Sequence, residues 1–211
     1  MNLILLLVTM SMQSLVQLLE SQEAITSDSV REAFLAVDRA DFVREDYVED
    51  AYRNHPLPIG HDQTISQPLT VAIMLEKLDV QRGMKVLDVG CGSGWTTALL
   101  AHMVGSEGTV VGVERIPDLV SFARNNLAAA SIEAQIREAG DQLGVAQQAP
   151  FDRILVSAAA DEVPQELVDQ LSQDGLMVIP VGSSLLVVRR QNSGYNIIHE
   201  RTGFRFVPLI S

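Results

Sequence analysis

The sequence predicts an α/β fold: a mostly parallel seven-stranded sheet with helices on both faces and a helical extension at the amino end. Three observations lead there. From Lys85 onward short apolar runs alternate with period two, and stretches of helical periodicity separate most of the early ones. The run Val86-Leu87-Asp88-Val89-Gly90-Cys91-Gly92-Ser93-Gly94 carries an apolar strand into an acidic residue and then into a turn with glycine at every second position. A second apolar strand, Thr109-Val110-Val111-Gly112-Val113, ends in Glu114.

The elements follow in order. Residues 12–50 read as helical, with Leu15, Val16, Leu18 and Leu19 forming one stripe and Ser27-Asp28 capping the next around Val30, Ala33, Phe34 and Val37. Residues 51–65 hold Pro56, Pro58 and Gly60 and read as a loop. Ser66 is placed to cap a helix running to about Leu78. Strands are expected at 85–89, 109–113, 134–138, 152–158, 175–180, 184–190 and near 203–208, with helices at 94–104, 117–130 and 164–173. The last three strands lack long helices between them, so an antiparallel hairpin is expected near Ser193-Gly194. Residues 1–80 form a helical segment carrying a loop, and residues 81–211 form the core, the two packed as a single domain.

Bulk properties narrow the function. The chain has 211 residues and a net charge of −12, which disfavours a groove tracking a phosphate backbone. A nucleic-acid partner is not expected. The single cysteine, Cys91, excludes an internal disulfide and fits a reducing compartment. Residues 3–8 are apolar, but a spanning helix needs about 20 such residues, and the basic leader and small-residue cleavage site of a secretory signal are missing. Residues 1–11 read as a helix extension or as an early start codon. A cytoplasmic protein without a membrane partner, acting as a monomer, is expected.

The glycine turn carries the chemistry. Gly90, Gly92 and Gly94 let the backbone bend tightly and remove side chains that would block a ligand. An acid at the end of the second strand reaches the ribose hydroxyls of a ligand lying across the carboxyl edge of the sheet. A nicotinamide enzyme could use Glu114 in the same way, but dinucleotide sites favour Gly-x-Gly-x-x-Gly. Here the pattern is Gly-x-Gly-x-Gly preceded by Asp88, a carboxylate that would repel a pyrophosphate. S-adenosylmethionine has no phosphate, and its ammonium group welcomes acidic charge. The pair Gly140-Asp141, after the third strand, offers a carboxylate to an adenine amino group or forms a plain turn. Asp152 is either an exposed strand-start residue or a structural one. The stretch 57–68 presents the Thr64 and Ser66 hydroxyls just before a helix. No cluster of His, Cys, Asp and Glu suggests a metal.

Across residues 12–209 the chain resembles the protein-L-isoaspartate (D-aspartate) O-methyltransferases. The likeness rests on Phe42-Val43, Leu57-Pro58-Ile59-Gly60, Gln63-Thr64-Ile65-Ser66-Gln67-Pro68, the glycine turn, Val113-Glu114, Pro150-Phe151-Asp152, Ile179-Pro180-Val181-Gly182 and the closing Phe206-Val207-Pro208-Leu209. The Thr-Ile-Ser-Gln-Pro loop together with the Phe-Val-Pro-Leu ending is the specific part. The resemblance implies a Rossmann-like, class I S-adenosylmethionine-dependent methyltransferase fold. It implies methyl transfer to the α-carboxylate of L-isoaspartyl and D-aspartyl residues in damaged peptides and proteins, with S-adenosyl-L-homocysteine as product. By the same likeness Ser66 and Thr64 serve catalysis, while Ile65, Asp88, Gly90, Gly92, Ser93, Gly94, Glu114, Asp141 and Gln142 hold the cofactor.

Such chemistry asks little of side chains. A carboxylate with a pKa near ~4 is ionised at neutral pH, so no general base is needed. What remains is alignment, which supplies up to roughly 7–11 kcal/mol. Ser66 then orients the acceptor. The chain departs from the usual family pattern at Asp62 and Gln142, where glycine is common, at Trp95, where tyrosine is common, and at Asn54-His55. Asp62 and Gln142 bear on the acceptor, and the alternatives are a small-molecule or tRNA acceptor, or a binding protein without turnover.

Overall fold

The computed structural model describes residues 10–192 and 194–210. Helix α1 (Met12–Ser21) opens on a reciprocal cap: the Ser11 hydroxyl accepts from the Ser14 amide at 3.2 Å, and the Ser14 hydroxyl accepts from the Ser11 amide at 2.8 Å. Helix α2 (Asp28–Ala36) is capped by Ser27, as the sequence reading expects. Beyond it the chain is not one helix. Asp38 accepts from the Ala40 amide and starts a 3-10 turn (Arg39–Phe42), followed by a second (Glu45–Asp50). The expectation for residues 1–11 falls largely on residues outside those described. No helix of the described residues is long and apolar enough to cross a membrane.

The expected loop at 51–65 contains a hairpin. Strand β1 (Leu57–Gly60) pairs antiparallel with β2 (Gln63–Ile65). His61 and Asp62 both take left-handed φ, +53° and +56°, the geometry that suits a two-residue hairpin turn. Proline and glycine usually signal loops, but here Pro58 lies in a strand of a two-stranded sheet and Gly60 at its bend. Helix α3 (Pro68–Leu78) follows, with Gln67 at the N-cap and Pro68 in its first turn.

The main sheet comprises β3 (Lys85–Val89), β4 (Thr109–Glu114), β5 (Gln135–Glu138), β6 (Phe151–Val156), β7 (Leu171–Val181), β8 (Ser184–Gln191) and β9 (Gly194–Thr202). Helices α4 (Trp95–Val104), α5 (Pro117–Ala129) and α6 (Gln165–Val168) connect the parallel strands. Spatial order is β5-β4-β3-β6-β7-β8-β9, parallel from β5 to β7 and antiparallel from β7 to β9. The chain therefore runs outward from β3 to β5, then crosses back to place β6 on the other side of β3. Such a reversal opens a crevice at the carboxyl ends of the strands, because the two flanking connections leave in opposite directions.

Strict alternation decides which side chain meets which layer. Val86, Val110, Leu155 and Val178 face a core built with α1 to α5. Leu87, Val111, Ile154 and Met177 face the opposite core, which includes Leu167 and Val168 of α6. Each fully buried aliphatic side chain contributes on the order of 2 kcal/mol of hydrophobic stabilisation.

Two expected boundaries move. The helix expected at 164–173 is a single turn, because β7 begins at Leu171 and carries an irregularity opposite Phe151 and Arg153. Asp174 takes φ +61° there, and a Cβ on Gly175 would lie 2.9 Å from the Ser172 carbonyl. This bulge read as the end of a helix. The last strand is 194–202 rather than 203–208. Its partner register joins Gln191 to Gly194, so the hairpin stands where expected, although Ser193 lies outside the described residues. Residues 203–208 instead cross back over the sheet. Pro208 forms one isolated bridge with Ala159, while Phe204 and Phe206 pack on the helical core.

Candidate active site

At the reversal point lies a crevice of about 360 Å³. Its floor is the turn after β3. Gly90, Gly92 and Gly94 take φ of +76°, +53° and +87°, which explains glycine at alternate positions. The Gly90 and Cys91 amides donate to the Val113 carbonyl at 2.9 and 3.1 Å, pulling the turn down beside β4. At Gly94 a Cβ would meet the Ala123 side chain at 3.2 Å, so that glycine seats α4 against α5. At Gly90 a Cβ would find nothing nearer than 3.9 Å, and at Gly140 nothing within 4 Å. The space above both faces the crevice. Ser93 is buried in the same wall, and its carbonyl accepts from Asn126 Nδ2 at 2.9 Å.

The two acids at the strand ends part company. Glu114 lines the crevice. Its Oε2 accepts from the Gly92 amide at 3.0 Å, and its Oε1 from the Arg115 and Ile116 amides at 2.8 and 3.0 Å. A carboxylate offers about four acceptor sites, so capacity remains for a ligand hydroxyl. Asp88, named by the sequence reading as a cofactor contact, does not line the crevice. Its carboxylate is fully buried, with Oδ2 accepting from the Thr96 and Thr97 hydroxyls at 2.7 and 2.6 Å. Burial outweighs those two bonds, and with Glu114 nearby it pushes the Asp88 carboxyl up to about 6. Asp88 thus fixes the first turn of α4 from behind the glycine turn.

Cys91 is buried in the wall, and burial holds its thiol well above the ordinary range, so it is no nucleophile. Asp152 proves structural: Oδ2 accepts the Lys85 amide at 2.9 Å, and Oδ1 accepts from the Ser172 hydroxyl at 3.3 Å. Asp141 and Gln142, both exposed, lie on the crevice wall that follows β5.

Thr64, Ile65 and Ser66 form the opposite wall, where β2 meets α3. Ser66 does not cap α3. It stands before the N-cap Gln67, whose side chain makes no capping bond, and the Leu69 amide is satisfied by Asn54 Oδ1 at 3.0 Å. Among the described residues, the Thr64 and Ser66 hydroxyls have no hydrogen-bonding partner. Both are left available to a ligand. The hairpin that carries them is tied down close to its turn. Arg44 Nε donates to the Ile59 carbonyl at 2.9 Å while its guanidinium lies 3.9 Å over the Phe122 ring. At the tip, His61 Nε2 lies 3.0 Å from Asp118 Oδ2. Asp62, beside it, is exposed and outside the crevice wall; its left-handed backbone is what suits glycine at that position.

Beneath the corner lies Arg39, a completely buried side chain that sequence reading missed. Nη1 donates to the Ala51 and Arg53 carbonyls at 2.8 and 3.3 Å, and Nη2 to those of His55 and Ser66, both at 3.1 Å. Its guanidinium sits 5.2 Å from the Trp95 ring centroid. Burial lowers the Arg39 pKa to about 10, which leaves the group charged at neutral pH. The tail was also missed as a wall. Residues 207–210 close one side of the crevice, held by the Ala159 amide donating to the Val207 carbonyl and the Leu209 amide to the Ala159 carbonyl, both at 2.7 Å.

This arrangement suits a nucleoside rather than a phosphate ligand. Glycine leaves open space on the floor, Glu114 keeps free acceptor capacity, and Arg115 is the only cationic side chain among the described lining residues. No group of three or more His, Cys, Asp or Glu side chains among the described residues is placed to hold a metal. A sheet reversed at β3, a glycine turn at its edge and an acid on the neighbouring strand define a Rossmann-like methyltransferase fold. The family model for protein-L-isoaspartate(D-aspartate) O-methyltransferase matches residues 10–211. The protein-L-isoaspartate O-methyltransferase of Methanopyrus kandleri is 46% identical over 204 residues, 94% of this chain and 90% of its own. That of Methanothrix thermoacetophila is 48% identical over 199 residues, 92% of this chain and 93% of its own. A solved Plasmodium falciparum chain, described as a protein-L-isoaspartate O-methyltransferase in complex with S-adenosyl-L-homocysteine, superposes with a TM-score of 0.85. That pair is 28% identical, covering 95% of this chain and 98% of the other. The chain belongs to the protein-L-isoaspartate(D-aspartate) O-methyltransferase family.

Proposed function

We infer that this protein transfers the methyl group of S-adenosylmethionine to the α-carboxylate of L-isoaspartyl and D-aspartyl residues in damaged proteins, the first step of their repair. One observation carries the reading beyond family membership. Two uncommitted hydroxyls, Thr64 and Ser66, stand on a fixed corner across the crevice from Glu114 and the glycine turn.

When bound, S-adenosylmethionine supplies a methyl group made electrophilic by its sulfonium. Glu114 would accept from the ribose hydroxyls, Asp141 and Gln142 would serve the adenine, and the 90–94 turn would hold the methionyl part, with Ile65 and Ser93 completing the walls. Asp88 acts on this cofactor wall through the hydroxyls of Thr96 and Thr97. Ser66 donates to the acceptor carboxylate, and Thr64 flanks it. The carboxylate is already ionised at neutral pH, so no side chain has to take a proton. The enzyme's work is alignment, with water kept out by the hairpin and the tail. In this reading residues 1–80 carry the loop that meets the acceptor and, through Ile65, the cofactor, and residues 81–211 form the methyltransferase core, the two packed as one domain.

Labelled S-adenosylmethionine offered with an isoaspartyl peptide and with its ordinary aspartyl twin tests this directly. Transfer to the isoaspartyl peptide alone is expected. Transfer to neither, with S-adenosylhomocysteine bound, overturns it in favour of another acceptor or of a binding protein.

A further inference from the structure

We propose that Arg39 is a positioning residue of the methyl transfer, pinning the Ser66 corner to the glycine-turn side of the crevice. Arg39 does not itself line the crevice. Its guanidinium instead joins two structures that the reaction must hold in register. On one side its four bonds go to the carbonyls of Ala51, Arg53, His55 and Ser66, which gathers the whole approach to α3 around one planar fork. On the other side its face lies 5.2 Å from Trp95, the residue that follows Gly94 and opens α4. Phe34 meets the same ring edge-on at 5.5 Å, so the ring has little freedom to move.

The choice of side chain is informative. Among the described residues no carboxylate is bonded to Arg39; all its partners there are neutral carbonyls, and its Nε has none. Burying an unneutralised cation is costly, and a merely space-filling role would be met by a methionine or leucine. A lysine ammonium has three donors on a tetrahedral centre and no flat face, so it could not bond the loop carbonyls and stack on Trp95 together. Besides Arg39, side-chain bonds tie the loop to its surroundings: the Tyr52 hydroxyl donates to Asp38 Oδ2 at 3.0 Å, Asn54 Oδ1 accepts the Leu69 amide of α3, and Gln67 Nε2 donates to the Asn54 carbonyl at 3.1 Å. Releasing the fork frees the Ser66 peptide while leaving Glu114 and the glycine amides in place, because those are held by bonds within β3, β4 and α4.

This inference rests on Ser66 holding the acceptor carboxylate. The test compares Arg39→Lys with the wild-type protein, and S-adenosylhomocysteine titrated by calorimetry counts folded molecules. Per folded molecule, kcat/KM for the isoaspartyl peptide is expected to fall at least roughly tenfold, while the S-adenosylhomocysteine Kd stays close to the wild-type value. In Arg39→Ala, millimolar guanidinium should restore turnover and equimolar methylammonium should not. Normal turnover in Arg39→Lys overturns the proposal. So does a parallel loss of S-adenosylhomocysteine affinity, which marks a general structural support, or rescue by both cations alike. If the lysine variant yields too few folded molecules to count, the rescue pair alone decides. Wild-type protein that ignores the isoaspartyl peptide refutes the parent reading first, and is distinguished from a failure confined to Arg39.

Discussion

Asn54 Oδ1 accepts the Leu69 amide at 3.0 Å, so α3 is capped from across the loop rather than by the serine that precedes it. The capping duty belongs to Asn54, and among the described residues the Ser66 hydroxyl is left free at the crevice wall. Asn54→Ala is expected to cost about 1 kcal/mol in chemical denaturation. Ser66→Ala should change stability by less than about 0.5 kcal/mol. Its turnover with an isoaspartyl peptide should nevertheless fall roughly 10–100-fold, with S-adenosylhomocysteine affinity unchanged. Full turnover in Ser66→Ala would remove this residue from the active site.

Glu114 is committed to three backbone amides, those of Gly92, Arg115 and Ile116, and also lines the crevice. Glu114→Gln replaces one acceptor oxygen by an NH2 group that confronts at least one amide donor. Hydrogen bonds to a charged group are worth roughly 1.5–3 kcal/mol each, so thermal stability should drop by about that much. Calorimetric titration should show S-adenosylhomocysteine binding at least about tenfold weaker. Unaltered affinity would mean that the acid only braces the turn.

The Asp88 carboxyl, pushed up to about 6 from 3.8, gives stability an unusual pH dependence. Between those two values the folded protein keeps a proton that the unfolded chain has released. This group's stabilising contribution is therefore complete below about pH 4 and is lost as pH rises through about 6, amounting to up to about 3 kcal/mol. Asp88→Asn keeps an oxygen for the Thr96 and Thr97 hydroxyls without the buried charge. Denaturation curves should show the variant gaining on wild type progressively from pH 4 to 7. A difference that stays flat across that range would place the proton elsewhere.

Much of this was legible in one dimension. Period-two alternation located six of the seven sheet strands to within a few residues, most plainly the central β3, β4, β6 and β7, which bury apolar side chains on both faces, whereas the edge strand β5 buries Ile136 alone. The glycine turn and Glu114 were readable because positive φ and a strand-end acid leave local marks. Less legible were features whose partners lie far along the chain. The 57–65 hairpin was hidden by residues that usually signal loops, and the bulge at Asp174 and Gly175 resembled a helix end. The tail carried the Phe-Val-Pro-Leu signature, yet nothing local said that it would bridge to Ala159 rather than extend the sheet.

By itself the sequence determined the class of fold, the floor of the crevice and which hydroxyls, those of Thr64 and Ser66, precede α3. Those depend on backbone preference and on side-chain period, which act over a few residues. Tertiary structure alone decided that Asp88 turns away from the crevice, that Asn54 relieves Ser66 of capping, and that Arg39 gathers the loop beneath it. Each depends on which partner a polar group finds once water is excluded. Burial sets that choice, and burial exists only after the chain has folded.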